Sequence, residues 1–462
     1  MRRLLVLLAM VLCALPLAAQ NTDIESLSGL QFNFGNPGAR SLGMGGAFLG
    51  LADDASAAEA NPAGLTILRK PEFSLEARNI QQDQIFTTNG TYPDLKRTAF
   101  TAYSNRIEPV FASFVYPLHN NFTVGVYYHE PLQNRGAGQD VDVQNSFFGQ
   151  PKVSVPDFYL PRDGTPVSKD ECDAIRQREN DFFACLQYTL LPFVSAVDIR
   201  EQTFGLAGAY KIGNFSFGAT ARYQRFSESA FTFRLDNQFA NISSVAVQAT
   251  SDITSNDQKA KPDTDITFTG GVKWAPSDKF SIGAVYKQGA KFKAPTFAAN
   301  ADTNFDFVKV ADTTFHVPDV YGIGVSFRPI PVLTIDADAV HVTYSNLVDN
   351  FISINADIRA IDKAYKASDV TEIHLGGEYF FSTKIPFAVR AGVWRDPDHA
   401  VEYRGPVTAP DAVAAAMLFP KGSAQTHYSV GAGLAWPRFQ IDAAYDRSPR
   451  YRVGSISAVA RF

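Results

Sequence analysis

The residues best able to do chemistry in this chain are its seven histidines, at positions 119, 129, 316, 341, 374, 399 and 427. They are scattered. A hydrolase working at a lipid interface would need a serine, a histidine and an acid brought together. No nucleophile motif accompanies any of these histidines, so no enzyme and no catalytic residue is expected. His129 and His374 read instead as polar pairs inside a larger structure. Gly43-Met44-Gly45-Gly46 superficially resembles a phosphate-cradling glycine loop. It lacks the preceding strand and the acidic residue at the right distance, so no nucleotide cofactor is expected. Two cysteines, Cys172 and Cys185, lie 13 positions apart, with no ligand-spaced histidines or carboxylates around them. They predict a local disulfide and no metal site. Closing so short a loop contributes up to about 3 kcal/mol in the chain-entropy model.

A second set of reactive types consists of charges placed on strand-like segments: Glu76, Arg78, Glu201, Arg222, Lys273, Lys287, Arg328, Asp336, Asp338, Glu372, Glu378, Arg390, Asp442 and Asp446. Most are expected to pair with one another across an interior. Arginine matches a carboxylate in shape better than any other side chain. Arg222, Lys287 and Arg390 are the candidates for holding the carboxylate of a ligand.

The elements that must carry these residues follow from the rest of the chain. Its 462 residues hold 42 Lys+Arg against 47 Asp+Glu, a net charge of −5. That balance lacks the basic surplus of a nucleic-acid binder. The start reads as an export signal over 1–19: Arg2 and Arg3, an apolar run from Leu4 to Leu17, then Ala18-Ala19. Cys13 follows the bulky Leu12 and reads as part of that signal. No later apolar run approaches the ~18 residues of a membrane helix, so any membrane span must be made of strands.

From about Pro71 the chain alternates apolar and polar residues with period two. Paired runs are joined by short breaks, for example Phe204–Tyr210 through Gly213-Asn214 into Phe215–Ala221, and Tyr428–Trp436 through Pro437-Arg438 into Phe439–Tyr445. Long mixed stretches, at 131–197, 234–262, 294–315, 347–368 and 396–424, separate the hairpins at their other ends. Short turns on one side and long loops on the other are the asymmetry of an outer-membrane barrel, here with about 14 strands. A soluble sandwich also alternates. The aromatics beside the short turns, Tyr116, Tyr210, Trp274, Phe327, Phe381 and Trp436, favour membrane girdles. Phe462 ends an alternating strand and resembles the terminal signal read by the barrel-assembly machinery. The expected fold is therefore an all-β transmembrane antiparallel barrel over 71–462, in the outer membrane of a Gram-negative envelope, among outer-membrane lipids and as a monomer.

Residues 20–70 do not alternate and are rich in small side chains. Gly38-Ala-Arg-Ser-Leu-Gly-Met-Gly-Gly-Ala47, Ala52-Asp-Asp54 and Asn61-Pro-Ala-Gly-Leu65 resemble the N-terminal hatch of FadL/TodX-type outer-membrane transporters of hydrophobic compounds. The resemblance is close over the first ~50 mature residues and weak in the loops. It implies that 20–70 plug the barrel from the periplasmic side, with Asn61, Pro62 and Ala63 as the hatch motif. It also implies passive uptake of greasy molecules such as long-chain fatty acids, and a lateral opening in the wall, for which Gly125 is the candidate by family analogy. Related barrels that act as protein-secretion shuttles share this N-terminal pattern, so a protein partner is the alternative cargo.

The stretch 131–197 is too long for an ordinary connection and too apolar to be disordered. Phe147, Phe148, Phe158, Phe182, Phe183 and Leu186 are the candidates for capturing a hydrophobic ligand. Ser168-Lys-Asp-Glu171 fits a capping box, which predicts a helical hairpin pinned by Cys172 and Cys185.

Overall fold

The computed structural model describes residues 35–84, 100–103, 107–140, 157–161, 167–181, 184–189, 193–235, 242–249, 263–300, 308–349, 363–406, 419 and 421–462. Fourteen strands form its wall. They are β1 (Glu72–Gln84), β2 (Glu108–His119), β3 (Phe122–Asp140), β4 (Phe193–Ile212), β5 (Phe215–Leu235), β6 (Asp263–Ser277) and β7 (Phe280–Lys287). The second half runs β8 (Val320–Ile330), β9 (Leu333–Val342), β10 (Val370–Phe381), β11 (Phe387–Asp396), β12 (Gln425–Ala435), β13 (Phe439–Arg447) and β14 (Tyr451–Arg461). Each pairs antiparallel with its neighbours in sequence. β14 then pairs with β1 from Glu72↔Arg461 to Gln82↔Tyr451, which closes the sheet. Closure satisfies every edge, the condition for strands to cross a bilayer.

The faces are inverted relative to a soluble sandwich. On β12, Tyr428 is 67% exposed and Val430 60%, while the alternating His427 and Ser429 are buried. The same alternation puts Ile266 and Phe268 outward on β6 and Thr267 and Thr269 inward. Apolar side chains thus face lipid and polar ones face the lumen. Tyr210, Phe215, Trp274, Phe327, Phe381, Trp436 and Phe439 are exposed beside the short turns, and Phe215 stacks on Trp274 at 6.3 Å. With Tyr116, also exposed, these rings include all six anticipated from the sequence; Phe215 and Phe439 are additions. At the β4–β5 turn, Gly213 adopts φ +59°, a left-handed conformation that glycine enters without steric cost.

The long-loop end differs from the sequence reading. β4 and β5, at 20 and 21 residues, are about twice the length a bilayer requires. The strand Ile242–Ala249 pairs with the top of β5, and Lys291–Asn300 pairs with both Ile242–Ala249 and Val308–His316. Within the stretches expected as loop, 242–249, 294–300 and 308–315 are therefore sheet. In sequence these strands mix small, polar and apolar residues at both odd and even positions, so period-two alternation does not mark them.

Residues 35–70 lie inside the barrel. They form α1 (Ala39–Gly43), α2 (Ala57–Ala60) and a 3-10 turn over Pro62–Ile67. Most residues here are buried. Small residues let the hatch backbone touch the wall. A Cβ at Gly392 of β11 would overlap the main chain of Met44 and Gly45, and one at Gly283 of β7 would overlap Leu49 O.

Candidate functional site

The lumen is built from two layers. The lower layer is the hatch and the polar side chains that hold it. Asn61 is fully buried. Its Nδ2 donates to Leu49 O at 3.1 Å, and its Oδ1 accepts from Ala63 N at 3.2 Å. Asn61 thus caps the turn that begins with Pro62, whose missing N–H costs nothing at a first helical position. The backbone at Pro62 and Ala63 lies against Gly218 of β5, where a Cβ would overlap it.

Two clusters bind the hatch to the wall. On one side Arg40 reaches Asp53 at 2.5 Å and grips Glu378 of β10 with Nε at 2.9 Å and Nη2 at 2.8 Å. Arg390 of β11 donates from Nε to the same carboxylate at 2.6 Å and lies 2.8 Å from Asp442 of β13. Arg328 of β8 holds the other oxygen of Asp53 at 2.9 Å. On the other side Glu59 meets Lys287 of β7 at 3.1 Å and accepts from the Tyr127 hydroxyl of β3. His129 lies 3.8 Å away. Burial alone would raise the Glu59 pKa, but the Lys287 ammonium, then His129 and Arg222, outweigh it and hold the carboxyl well below its ordinary value.

Between the clusters the hatch main chain is threaded through wall side chains. Asp338 Oδ2 accepts from Phe48 N at 2.7 Å and Leu49 N at 2.9 Å. Ser281 donates to Gly50 O at 2.8 Å, and Lys273 donates to Leu51 O. Trp394 of β11 stacks between His374 (5.1 Å) and His427 (3.9 Å). His374 Nδ1 sits 2.7 Å from Gly45 O, and His427 Nδ1 sits 2.7 Å from Asp446. Two histidines distant in sequence thus flank one indole, and His374 reaches the hatch. No group of three or more His, Cys, Asp or Glu able to hold a metal occurs among the described residues.

The upper layer is apolar. Phe226, Phe292, Phe315, Tyr344, Tyr365 and Phe419 belong to one buried cluster. Phe226 stacks on Phe292 at 4.9 Å and on Phe315 at 4.6 Å. Tyr344 stacks on His399 at 3.8 Å.

The three carboxylate-binding candidates separate. Arg222 and Lys287 converge on the Glu59 cluster, with Arg222 donating to Gln288 O. Arg390 lies on the far wall between two protein carboxylates. Gly125 sits in register with Val115 and Ala207, in an unbroken ladder. The irregularity on β3 falls between His129 and Leu132 instead. Phe147, Phe148, Phe182 and Phe183 lie outside the described residues, as do the side chains of Phe158 and Leu186. The backbones of the last two belong to a small hairpin, in which Asp157–Pro161 pairs with Cys185–Thr189.

Cys172 and Cys185 form a disulfide with Cα atoms 5.5 Å apart. It ties the helix α3 (Lys169–Glu179), capped by Ser168, to the second strand of that hairpin. The pinned unit is a helix on a strand, where the sequence reading expected two helices. The β-branched and aromatic run after Cys185 pairs with Asp157–Pro161, a partner remote in sequence.

Sequence reasoning gave no role to Glu59, Arg40 or Tyr127. Glu59 was findable as the lone charge in the alanine-rich run from Ala55 to Leu65. Such an acid in a plug must meet a cation.

The family described as outer membrane protein transport protein (OMPP1/FadL/TodX) matches residues 192–453. Among solved structures, a Pseudomonas aeruginosa FadL homologue superposes with a TM-score of 0.59 at 17% identity, over 94% of this chain and 100% of that one. The Ralstonia pickettii toluene transporter TbuX gives 0.58 at 15%, over 93% and 99%. The monoaromatic hydrocarbon channel CymD gives 0.56 at 15%, over 94% and 99%. No match was found among curated proteins.

Proposed function

We propose, from the premise that this chain belongs to the OMPP1/FadL/TodX family of outer membrane transport proteins, that it takes up hydrophobic small molecules passively across the outer membrane. Long-chain fatty acids and monoaromatic hydrocarbons are the two cargo classes to separate. The observation that carries this reading is the order of the two lumen layers. An aromatic cluster at the long-loop end stands above a plug whose main chain is bonded to the wall. Open diffusion of polar solutes needs the reverse, a wet and unobstructed lumen.

The proposal has four steps. The chain is exported by the signal over 1–19. A hydrophobic molecule is captured by the extracellular segment that includes Phe147, Phe148, Phe158, Phe182, Phe183 and Leu186. It partitions into the aromatic layer, where burial contributes roughly 25 cal/mol per Å². It leaves by rearrangement of the hatch or of the wall, with Gly125 retained as a candidate for the latter. No nucleotide, metal or covalent step is involved.

Equilibrium binding to the folded barrel in detergent tests this, with a long-chain fatty acid and with toluene, alongside a variant lacking 21–66. Saturable binding of either ligand, altered by the deletion, is expected. If neither ligand saturates, the uptake reading falls, and a protein cargo sought by co-purification takes its place.

A further inference from the structure

At the short-turn end, a cavity of about 320 Å³ opens between the hatch and the wall. That volume lies at the lower end of the range for small-molecule sites. Its charged lining is one-sided: Arg69, Lys211, Lys273, Lys279 and Arg328 against the single acid Asp278. Arg328 is neutralised by Asp53, and Arg69 donates to Asn120 O at 3.1 Å. Lys211, Lys273 and Lys279 have no salt bridge among the described residues. Lys273 is only 6% exposed, and its one hydrogen bond goes to a neutral partner, Leu51 O. Asp53 and Asp336 are near enough to offset part of its charge, but neither is bonded to it, and a buried ammonium with no bonded counter-charge is costly. An oxyanion entering the cavity would relieve that cost with charge-assisted bonds. The same cavity is walled by Ile67 of the hatch, which is 44% exposed, and by Phe280 of β7. Cationic and apolar surfaces therefore adjoin.

We propose that this cavity binds the oxyanion headgroup of an amphiphile, with Lys273, Lys211 and Lys279 on the charge and Ile67 and Phe280 on the start of the tail. The inference rests on the uptake reading, because it makes this end of the barrel the periplasmic one. Two sources can supply that chemistry: a fatty acid that has traversed the barrel, or a phospholipid of the inner leaflet. Occupancy would also compete for Lys273 with Leu51 O and so loosen the hatch at that point.

The test is photo-crosslinking of the full-length barrel in detergent. One probe is a diazirine-bearing long-chain fatty acid and the other is the matching fatty alcohol, with labelled peptides mapped by mass spectrometry. The acid should label peptides containing Ile67 and Phe280 about tenfold more than the alcohol does, the effect of one charge-assisted contact. K211E/K279E, at the rim, and K273M, at the base, should each remove that preference. Labelling of peptides in the aromatic layer should persist in both variants. Displacement of the acid by phosphatidylglycerol would identify a lipid headgroup as the occupant; resistance to it would identify cargo. Either result supports an oxyanion site. Equal labelling by acid and alcohol, or labelling unchanged by both variants, overturns the site while leaving uptake intact. Absence of label anywhere in the barrel overturns both.

Discussion

The two halves of the lumen are built on opposite principles. The lower half is filled by backbone, small residues and ion pairs. Arg40, Asp53, Glu378, Arg390 and Asp442 form one connected charge network there. The upper half is filled by rings, with Phe226 sandwiched against Phe292 and Phe315. Aromatic packing prefers certain ring geometries but strands no charge when a guest displaces a ring. Buried ion pairs are directional, and breaking one leaves an uncompensated charge. The upper half is therefore suited to accept a variable greasy ligand, and the lower half to hold one closed arrangement. The sharpest way to break this contrast is to damage each half and ask whether the other notices.

The largest effect is expected from Arg390→Leu. It strands Asp442 and half of Glu378's pairing at a site where the guanidinium is 2% exposed. Removing one partner of a buried pair costs about 3–5 kcal/mol. Hydrogen exchange of the amides over 39–67 should accelerate accordingly, while affinity for a hydrophobic ligand changes little. Protection that survives the substitution would mean the hatch is held by packing alone.

Phe226→Ala is the converse. The cavity left behind costs about 3–5 kcal/mol of local packing, yet hatch protection should stay as in the parent. Hydrophobic-ligand binding should shift by about tenfold, since the guest meets an enlarged and less complementary cluster. Equal responses in hatch and ligand would show that the halves are coupled rather than separate.

The same contrast explains what was legible in the sequence. Strands facing lipid on one side and lumen on the other must alternate, so β12 and β13 could be placed to within a residue or so. The inversion of faces was visible only through the girdle, because Tyr428 outward and Tyr428 inward give one pattern. Ile242–Ala249 and most of Lys291–Asn300 lack that alternation in sequence, and they went unrecognised as strands. The hatch was legible as a motif: Asn61-Pro62 carries its own capping chemistry. Its anchors were not, because Glu59 with Lys287 and Arg40 with Glu378 are 228 and 338 positions apart. Only barrel closure sets such distances. Arg222, Lys287 and Arg390 were recognised as inward-facing cations, but their local partners are protein carboxylates or carbonyls. Pairing across a lumen depends on which strands stand opposite, and period-two patterning says nothing about that.

A smaller effect should come from Glu59→Gln, and it carries a pH signature. The substitution keeps the shape and one acceptor oxygen and removes the charge, so it costs less than the ~3–5 kcal/mol of emptying one side of a buried pair. Lys287 is then left without its acid, and Tyr127 keeps an oxygen to donate to. In the seated hatch Glu59 titrates well below the ordinary 4.5. Once the hatch is released into water, it returns to that ordinary value. A carboxyl depressed in the closed state favours closure at every pH above its free value, and the favour is lost as pH falls through the closed-state value. Hatch protection in the parent should therefore hold from neutrality down to about pH 4.5 and weaken in stronger acid. In Glu59→Gln this contribution should be missing, leaving weaker protection at pH 7 and a flatter acid limb. If the variant reproduces the parent's acid limb, then another ion-paired carboxylate carries the titration, and the hold on the hatch belongs to Glu378 with Arg40 and Arg390 instead.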